Sequence, residues 1–322
     1  MEIFKLTLNQ MLLMFALVIV GYILRKKEIL PENSGIVLAK AETFVFTPAL
    51  SLYNQITKCT VKTFTDNSPL MLFGFVITML AILLSYPISK LFVRDSNKSL
   101  EKAYERNIYK YALTFANYGF VGNYLVLGVW GEDFFFKYSL FIFLLGILCS
   151  SWGLSILIPK KDGESLLATI KKTFTAPPLL ALIIGMLVGL LDLSKFVPEF
   201  MLKAFESAGK CQGPVAMLLA GIIIGGYDFK RLLCNKKVYI ASLLRLIVIP
   251  ATMILILKVL NISDEIMILT LVAFACPLGL NTIVYPATYG GETKTGASMT
   301  IISQILSIIT LPIMYYIFIV LL

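Results

Sequence analysis

The stretch ACPLGLNTIVYP occupies residues 275–286. It lies inside an apolar run long enough to cross a bilayer, yet it carries two prolines, a glycine and an asparagine. Proline removes a backbone hydrogen bond and clashes with the preceding helical turn. Lipid offers no partner for the groups so freed, and an interrupted span is tolerated only where protein or a water-filled cavity surrounds it. Whatever packs around these residues must therefore satisfy them.

Composition places the whole chain in a membrane. Of its 322 residues, 58% are hydrophobic and 15% are charged, and the mean hydropathy is +0.85. A soluble domain of this size could not bury so much apolar surface. The formal charge of +9 sits in short clusters between apolar runs, the pattern of positive-inside residues, which argues against a nucleic-acid partner. The five cysteines (Cys59, Cys149, Cys211, Cys234 and Cys276) are widely spaced, with no CxxC pair, and read as isolated thiols rather than a disulfide or metal site. With no histidine, His-based catalytic triads and His-ligated metals are excluded, and carboxylates are left as proton carriers.

Apolar runs of membrane-spanning length fall near 8–24, 36–56, 69–92, 108–129, 134–157, 175–191, 200–225, 238–258, 264–288 and 295–320. The first ends in RKKE with no small-residue cleavage site, so it reads as a span and not a signal peptide. Ten spans put 18 of the 28 Lys and Arg residues in the loops after spans 1, 3, 5, 7 and 9, against 8 at the termini and in the other loops. Lys40 and Arg245 fall within spans. This bias predicts a multi-pass protein of the cell (plasma or inner) membrane with both termini extracytoplasmic.

The opening stretch has a counterpart. The fourth span reads FANYGFVGNYLVLGVWGE from Phe115 to Glu132, and the ninth reads FACPLGLNTIVYPATYGGE from Phe274 to Glu292. Both begin Phe-Ala, carry Gly and Asn in the middle and end Gly-Glu. Spans 2 and 7 pair through central prolines, FTPALSL around Pro48 and QGPVAML around Pro214. Two units of five spans, residues 1–160 and 161–322, must insert in opposite senses, because five is odd. Inverted repeats with interrupted helices at matching places point to a secondary transporter with its site at the bilayer midplane.

Two interruptions meeting there would present two half-helix N-termini, each with free N–H donors and about half a positive charge, which suits a carboxylate. Asn117 and Asn123 flank the first interruption, and Asn281 and Thr282 lie in the second. A buried amide there either bonds a substrate or ties down the unwound segment. No Asp or Glu lies near the middle of either interrupted span. Asp66, Glu132, Asp133 and Asp192 read as interfacial, while Glu42 in span 2 is the candidate coupling residue. Arg245 lies about two turns into span 8. Snorkelling to the cytoplasmic cluster is its expected role, with attraction of an anionic substrate the second reading.

At these residues the chain resembles the auxin efflux carrier family, which includes the plant PIN auxin carriers and bacterial malate or malonate permeases. The similar stretches are FTPAL at 46–50, NYGFVG at 117–122, APPLLALIIGMLVGL at 176–190, RLIVIP at 245–250, CPLGLNTIVYPATYGGET from residue 276, and ITLPIM at 309–314. The resemblance implies a ten-helix all-α membrane fold of the NhaA and bile-acid-symporter type, with spans 4 and 9 broken and crossing. It implies a homodimer with a scaffold of spans 1, 2, 6 and 7 and a transport domain of spans 3–5 and 8–10. It also implies an organic-anion substrate near Asn117 and the Pro277–Asn281 segment, so that Asn117, Tyr118, Gly119, Asn123, Pro277, Gly279, Asn281 and Thr282 are the candidate contacts. Pro48, Pro214 and Pro286 are candidate hinge or scaffold positions. The chain departs from the family at Asn123-Tyr124, where proline is frequent, and at Pro286, which is expected to add a late break in span 9.

The expected function is secondary transport of small organic anions, with no cofactor beyond coupling to a proton or sodium gradient. A receptor that binds a carboxylate without moving it is the alternative; its expected mark would be an attached soluble output domain, whereas the sequence runs to Leu322 directly after span 10. No catalytic residue is expected, because an intramembrane hydrolase needs a Ser–His pair or two mid-membrane aspartates.

Overall fold

The computed structural model describes residues 2–94, 99–157, 175–289 and 291–321, which are almost wholly helical with no strand among them. The boundary expected between residues 160 and 161 lies outside the described residues, as do Lys98, Lys160, Lys161, Lys171 and Lys172 of the charge count. In chain order the main helices are α1 (Glu2–Lys26), α2 (Ser34–Lys58), α3 (Val61–Phe92), α4 (Leu100–Thr114), α5 (Asn123–Phe141), α6 (Phe143–Leu157), α7 (Pro177–Leu190), α8 (Glu199–Gly225), α9 (Lys236–Val259), α10 (Asp264–Ala275), α11 (Asn281–Tyr289) and α12 (Lys294–Leu321).

Six of these, namely α1, α2, α3, α8, α9 and α12, are long and apolar enough to cross a membrane, and a bent pair, Tyr118–Phe141 with Phe143–Leu157, makes a seventh. That pair counts α5 as a single rod. Within it, however, Gly131 has φ 79° and ψ −172°, a conformation open to glycine and closed to a helix, so the chain changes direction there. Beside this turn Glu132 and Asp133 stand next to Lys58 at the end of α2, with Lys58 Nζ 2.8 Å from Asp133 Oδ1. α3 starts on a capping box, in which the Thr60 hydroxyl accepts from the Thr63 amide and the Thr63 hydroxyl from the Thr60 amide.

Lipid removes the hydrophobic drive between helices, so close backbone packing must hold them. α1 and α8 form the most extensive pairing. A Cβ at Gly21 would stand 2.2 Å from the Leu218 carbonyl oxygen, and one at Gly221 would stand 2.0 Å from that of Val18. Glycine is what lets these two backbones touch. α2 packs on α7 and α8, while α3 pairs with α4, and α9 with α10 and α12. Large apolar side chains such as Leu72, Leu83 and Ile309 remain outward-facing, as lipid-facing residues do. The opposite holds at the centre, where α10 buries every residue from Leu269 to Ala275. The second interruption therefore begins in an unbroken run of buried residues.

Candidate functional site

α4 ends at Thr114, where Phe115 is extended (φ −112°, ψ 118°), and helical structure resumes in a π turn, Tyr118–Gly122, that runs into α5. α10 ends at Ala275, where Cys276 is extended (φ −62°, ψ 154°). The residue before a proline is pushed out of the helical region by the pyrrolidine ring, and Pro277 does this to Cys276. α11 begins at Asn281.

The two extended segments meet as an antiparallel bridge between Ala116 and Leu278. The Asn117 amide donates to the Pro277 carbonyl at 2.7 Å. Each interruption thus supplies a partner for the other, where an unmet buried group would cost about 1–3 kcal/mol. Side chains from other helices take more of the freed groups. Ser303 of α12 accepts from the Leu278 amide at 2.9 Å, and Tyr138 of α5 donates to the Tyr118 carbonyl at 3.0 Å. Gln212 of α8 donates to the Gly119 carbonyl at 3.2 Å. Gly122 makes room for Tyr138, since a Cβ there would lie 2.2 Å from its hydroxyl.

Around the bridge stand most of the residues singled out from the sequence. Asn281 donates to the Tyr111 hydroxyl at 2.9 Å and lies 3.8 Å from the Cys149 thiol. Tyr111 and Cys149 are 3.0 Å apart, and the Tyr118 hydroxyl also bonds Cys149. This is a buried polar cluster tying α4, α6 and α11 together, with Cys149 in it as a free thiol. Gly279 packs on the first interruption, its Cβ position 3.5 Å from the Ala116 carbonyl oxygen. Gly119 faces open space, with nothing within 4 Å of a Cβ built there. Asn123 is buried, with its Oδ1 unpaired. Thr282 bonds within its own segment, to the Gly279 carbonyl at 2.9 Å.

The prolines outside the bridge act differently. Pro48 follows a π turn, Glu42–Phe46, in α2, and α8 runs through Pro214 without interruption. The late break expected at Pro286 does not occur, because α11 continues through it to Tyr289. The carbonyl four residues earlier, which loses its helical donor, is that of Thr282, and it abuts Gly296 of α12, at 2.2 Å from a Cβ built there. Glu42 is fully buried, its Oε2 3.5 Å from the Thr47 hydroxyl and its Oε1 unpaired. It lies where α2 meets α7 and α8, away from the bridge.

A cavity of about 300 Å³ opens between α2, α5 and α8, lined among others by Asn54, Tyr124, Glu206, Lys210 and Gln212. Its charged end carries the Lys210–Glu206 pair at 2.5 Å. At Gln212 it reaches the side chain that holds the first interruption. Gln212 Oε1 and Asn54 Oδ1 are both buried and unpaired.

Arg245 departs most from expectation. Snorkelling would leave its guanidinium at the interface, but the side chain is 0% exposed and lies 5.2 Å over the Phe274 ring, beside Cys276. None of its three nitrogens has a hydrogen-bond partner. An uncompensated buried ion costs several kcal/mol even after relaxation.

Tyr111, Tyr138, Gln212 and Ser303 are the supports that sequence reasoning missed. Only Gln212 carried a signal, an amide two residues from Pro214 inside a span. Taken together, the residues form a membrane-buried junction of two unwound segments, rich in amide and hydroxyl groups. Among the described residues no His, Cys, Asp and Glu group could hold a metal. No curated protein matches the chain. A family model described as "Membrane transport protein" matches residues 6–315, a range that contains both interruptions. The chain is thus a multi-pass membrane transporter and belongs to the auxin efflux carrier family, that of auxin efflux carriers and malate/malonate permeases.

Proposed function

We propose that this protein is a secondary transporter of small organic anions, carboxylates above all, working by alternating access in the cell membrane. The observation that carries the proposal is the junction at Ala116 and Leu278, where two helices restart from one buried point. The π turn from Tyr118 and the first turn of α11 from Asn281 each bring N-terminal amides towards it. Such ends favour negative charge. The substrate sits at this crossover, with Asn117, Tyr118, Gly119, Asn123, Pro277, Gly279, Asn281 and Thr282 as its surroundings.

Ten spans in two inverted repeats complete the reading. The turn at Gly131 supports dividing the bent pair into a fourth span (α4 with the start of α5) and a fifth (the rest of α5 with α6). α7 is the sixth, and α10 with α11 the ninth. Contacts between loops agree with alternate crossing. Lys58–Asp133 and Lys137–Glu265 (2.6 Å) join segments assigned outside. The Lys237 bond to the Phe92 carbonyl (2.9 Å) and that of Tyr104 to the Leu157 carbonyl (2.7 Å) join segments assigned inside.

The grouping of α1, α2, α7 and α8 supports a scaffold against which the remaining helices move as a transport domain, elevator fashion, in a homodimer. Gln212 to Gly119 crosses that division and must break when the domain moves. The cavity beside it is the outward route.

Uptake of labelled malonate, malate or indole acetate into proteoliposomes, with and without proton or sodium gradients, tests the function. Saturable, gradient-stimulated uptake is expected. Saturable binding with no uptake under any gradient would replace the carrier by a receptor. In the same assay Glu42→Gln, which leaves a neutral group of equal size, is expected to keep the fold and lose the response to a proton gradient. An undiminished response rules Glu42 out as the coupling residue.

A further inference from the structure

Arg245 has no place in the junction as described, and its surroundings ask for an occupant. It sits in the π turn Leu244–Val248 of α9, and this turn packs on α10 and α12. The beginning of α9 also packs on α12. Ser242, one turn before Arg245, has a fully buried hydroxyl with no partner. On α12 the Thr300 hydroxyl and the Gln304 Nε2, again one turn apart, are buried and unpaired as well. Every one of these orphaned atoms is able to donate a hydrogen bond, and one side chain is a permanent cation. Ser303, between Thr300 and Gln304, is the residue that reaches the Leu278 amide, so this face of α12 lies directly behind the second interruption.

A structural role for Arg245 would be to face the carbonyl end of α10, whose dipole favours a cation. That accounts for charge alone. It leaves the guanidinium N–H groups, two hydroxyls and an amide unbonded in adjoining helices, and buried donors are seldom left without acceptors. An anion rich in acceptor atoms answers charge and hydrogen bonding together. The planar guanidinium fork matches a carboxylate, which it binds through two parallel bonds.

We infer that Arg245, with Ser242, Thr300 and Gln304, forms a carboxylate-binding site behind the Cys276–Pro277 interruption and is the residue that recognises the charge of the transported anion. The inference rests on the carrier reading for its substrate class, but the binding it describes is measurable without transport.

The test uses the purified full-length chain in detergent, with its thermal unfolding followed as malonate, malate or acetate is added at constant ionic strength. Chloride and the neutral malonamide serve as controls. At least one carboxylate is expected to raise the wild-type midpoint, while chloride and malonamide leave it in place. Arg245→Gln is expected to raise the concentration required by about tenfold or more, the effect of losing a charged hydrogen bond. Arg245→Lys, which keeps the charge and loses the fork, is expected to fall between. Should Arg245→Gln fail to fold, Thr300→Ala and Arg245→Lys carry the same comparison.

A wild-type protein that responds to none of the carboxylates, or equally to chloride, overturns the assignment. So does Arg245→Gln, or its replacements, responding at the wild-type concentration. Arg245-dependent binding without uptake removes the carrier reading and leaves the site. Uptake unaffected by Arg245→Gln does the reverse.

Discussion

Asn281→Ala is expected to lower the initial rate of carboxylate uptake in proteoliposomes by about tenfold to a hundredfold, the effect of losing one hydrogen bond to a charged group. Asn281 is the first residue of α11, at the end that faces the junction, and its amide already bonds Tyr111 and approaches Cys149. Removing it takes away the donor proposed to face the anion and leaves the buried Tyr111 hydroxyl with Cys149 as its remaining partner. Tyr111→Phe separates these effects, because it deletes the acceptor of that bond and leaves the Asn281 amide in position. Tyr111→Phe is expected to lower the melting midpoint while retaining most of the affinity. Asn281→Ala with wild-type affinity and rate would exclude it as a contact.

Gly296→Val is expected to cost about 3 kcal/mol or more of stability and to abolish uptake, since overpacking against backbone cannot be relieved by a rotamer change. A Cβ at Gly296 would stand 2.2 Å from the Thr282 carbonyl oxygen and 2.7 Å from its carbon. One of two helices, α11 or α12, must therefore move, and α11 carries the second interruption with it. Gly119→Ala is the matched control, because a Cβ there meets nothing within 4 Å. It is expected to melt within about 1 kcal/mol of wild type, as Gly-to-Ala changes in open positions do. Thermal unfolding in detergent and size-exclusion profiles check both. Equal melting of Gly296→Val and wild type would show that α11 and α12 are not held at this spacing.

Much of the architecture could be read from local pattern. Apolar runs, their charged flanks and the prolines within them are properties of neighbouring residues, and they mark an all-helical multi-pass membrane protein without knowledge of any contact. Pro277 marked the second interruption because its effect on Cys276 acts through adjacent bonds. The first was fainter, since Asn117, Gly119 and Gly122 permit a break without forcing one, and α4 ends only because Phe115 and Asn117 leave helical geometry in the folded chain. Pro286 gave a false signal: proline lowers the stability of a helix without always ending it, and α11 runs through this one to Tyr289. The non-helical turn at Gly131 sat inside GVWGE with nothing to distinguish it from Gly128.

What sequence alone determined, then, is the membrane-bound helical class, the family, and the places where two spans are unwound. Only the tertiary structure decided how those unwound segments are satisfied. The amide of Asn117 finds the carbonyl of Pro277 across 160 residues of chain, Gln212 and Ser303 arrive from two further helices, and Tyr138 from the far part of α5. It also decided that Arg245 is enclosed instead of snorkelling. A run of apolar residues states that a segment will enter lipid, because transfer free energy is summed along the segment itself. Whether one polar side chain in that run meets water, lipid or a buried partner depends on which helices pack beside it, and that is fixed by contacts far apart in sequence.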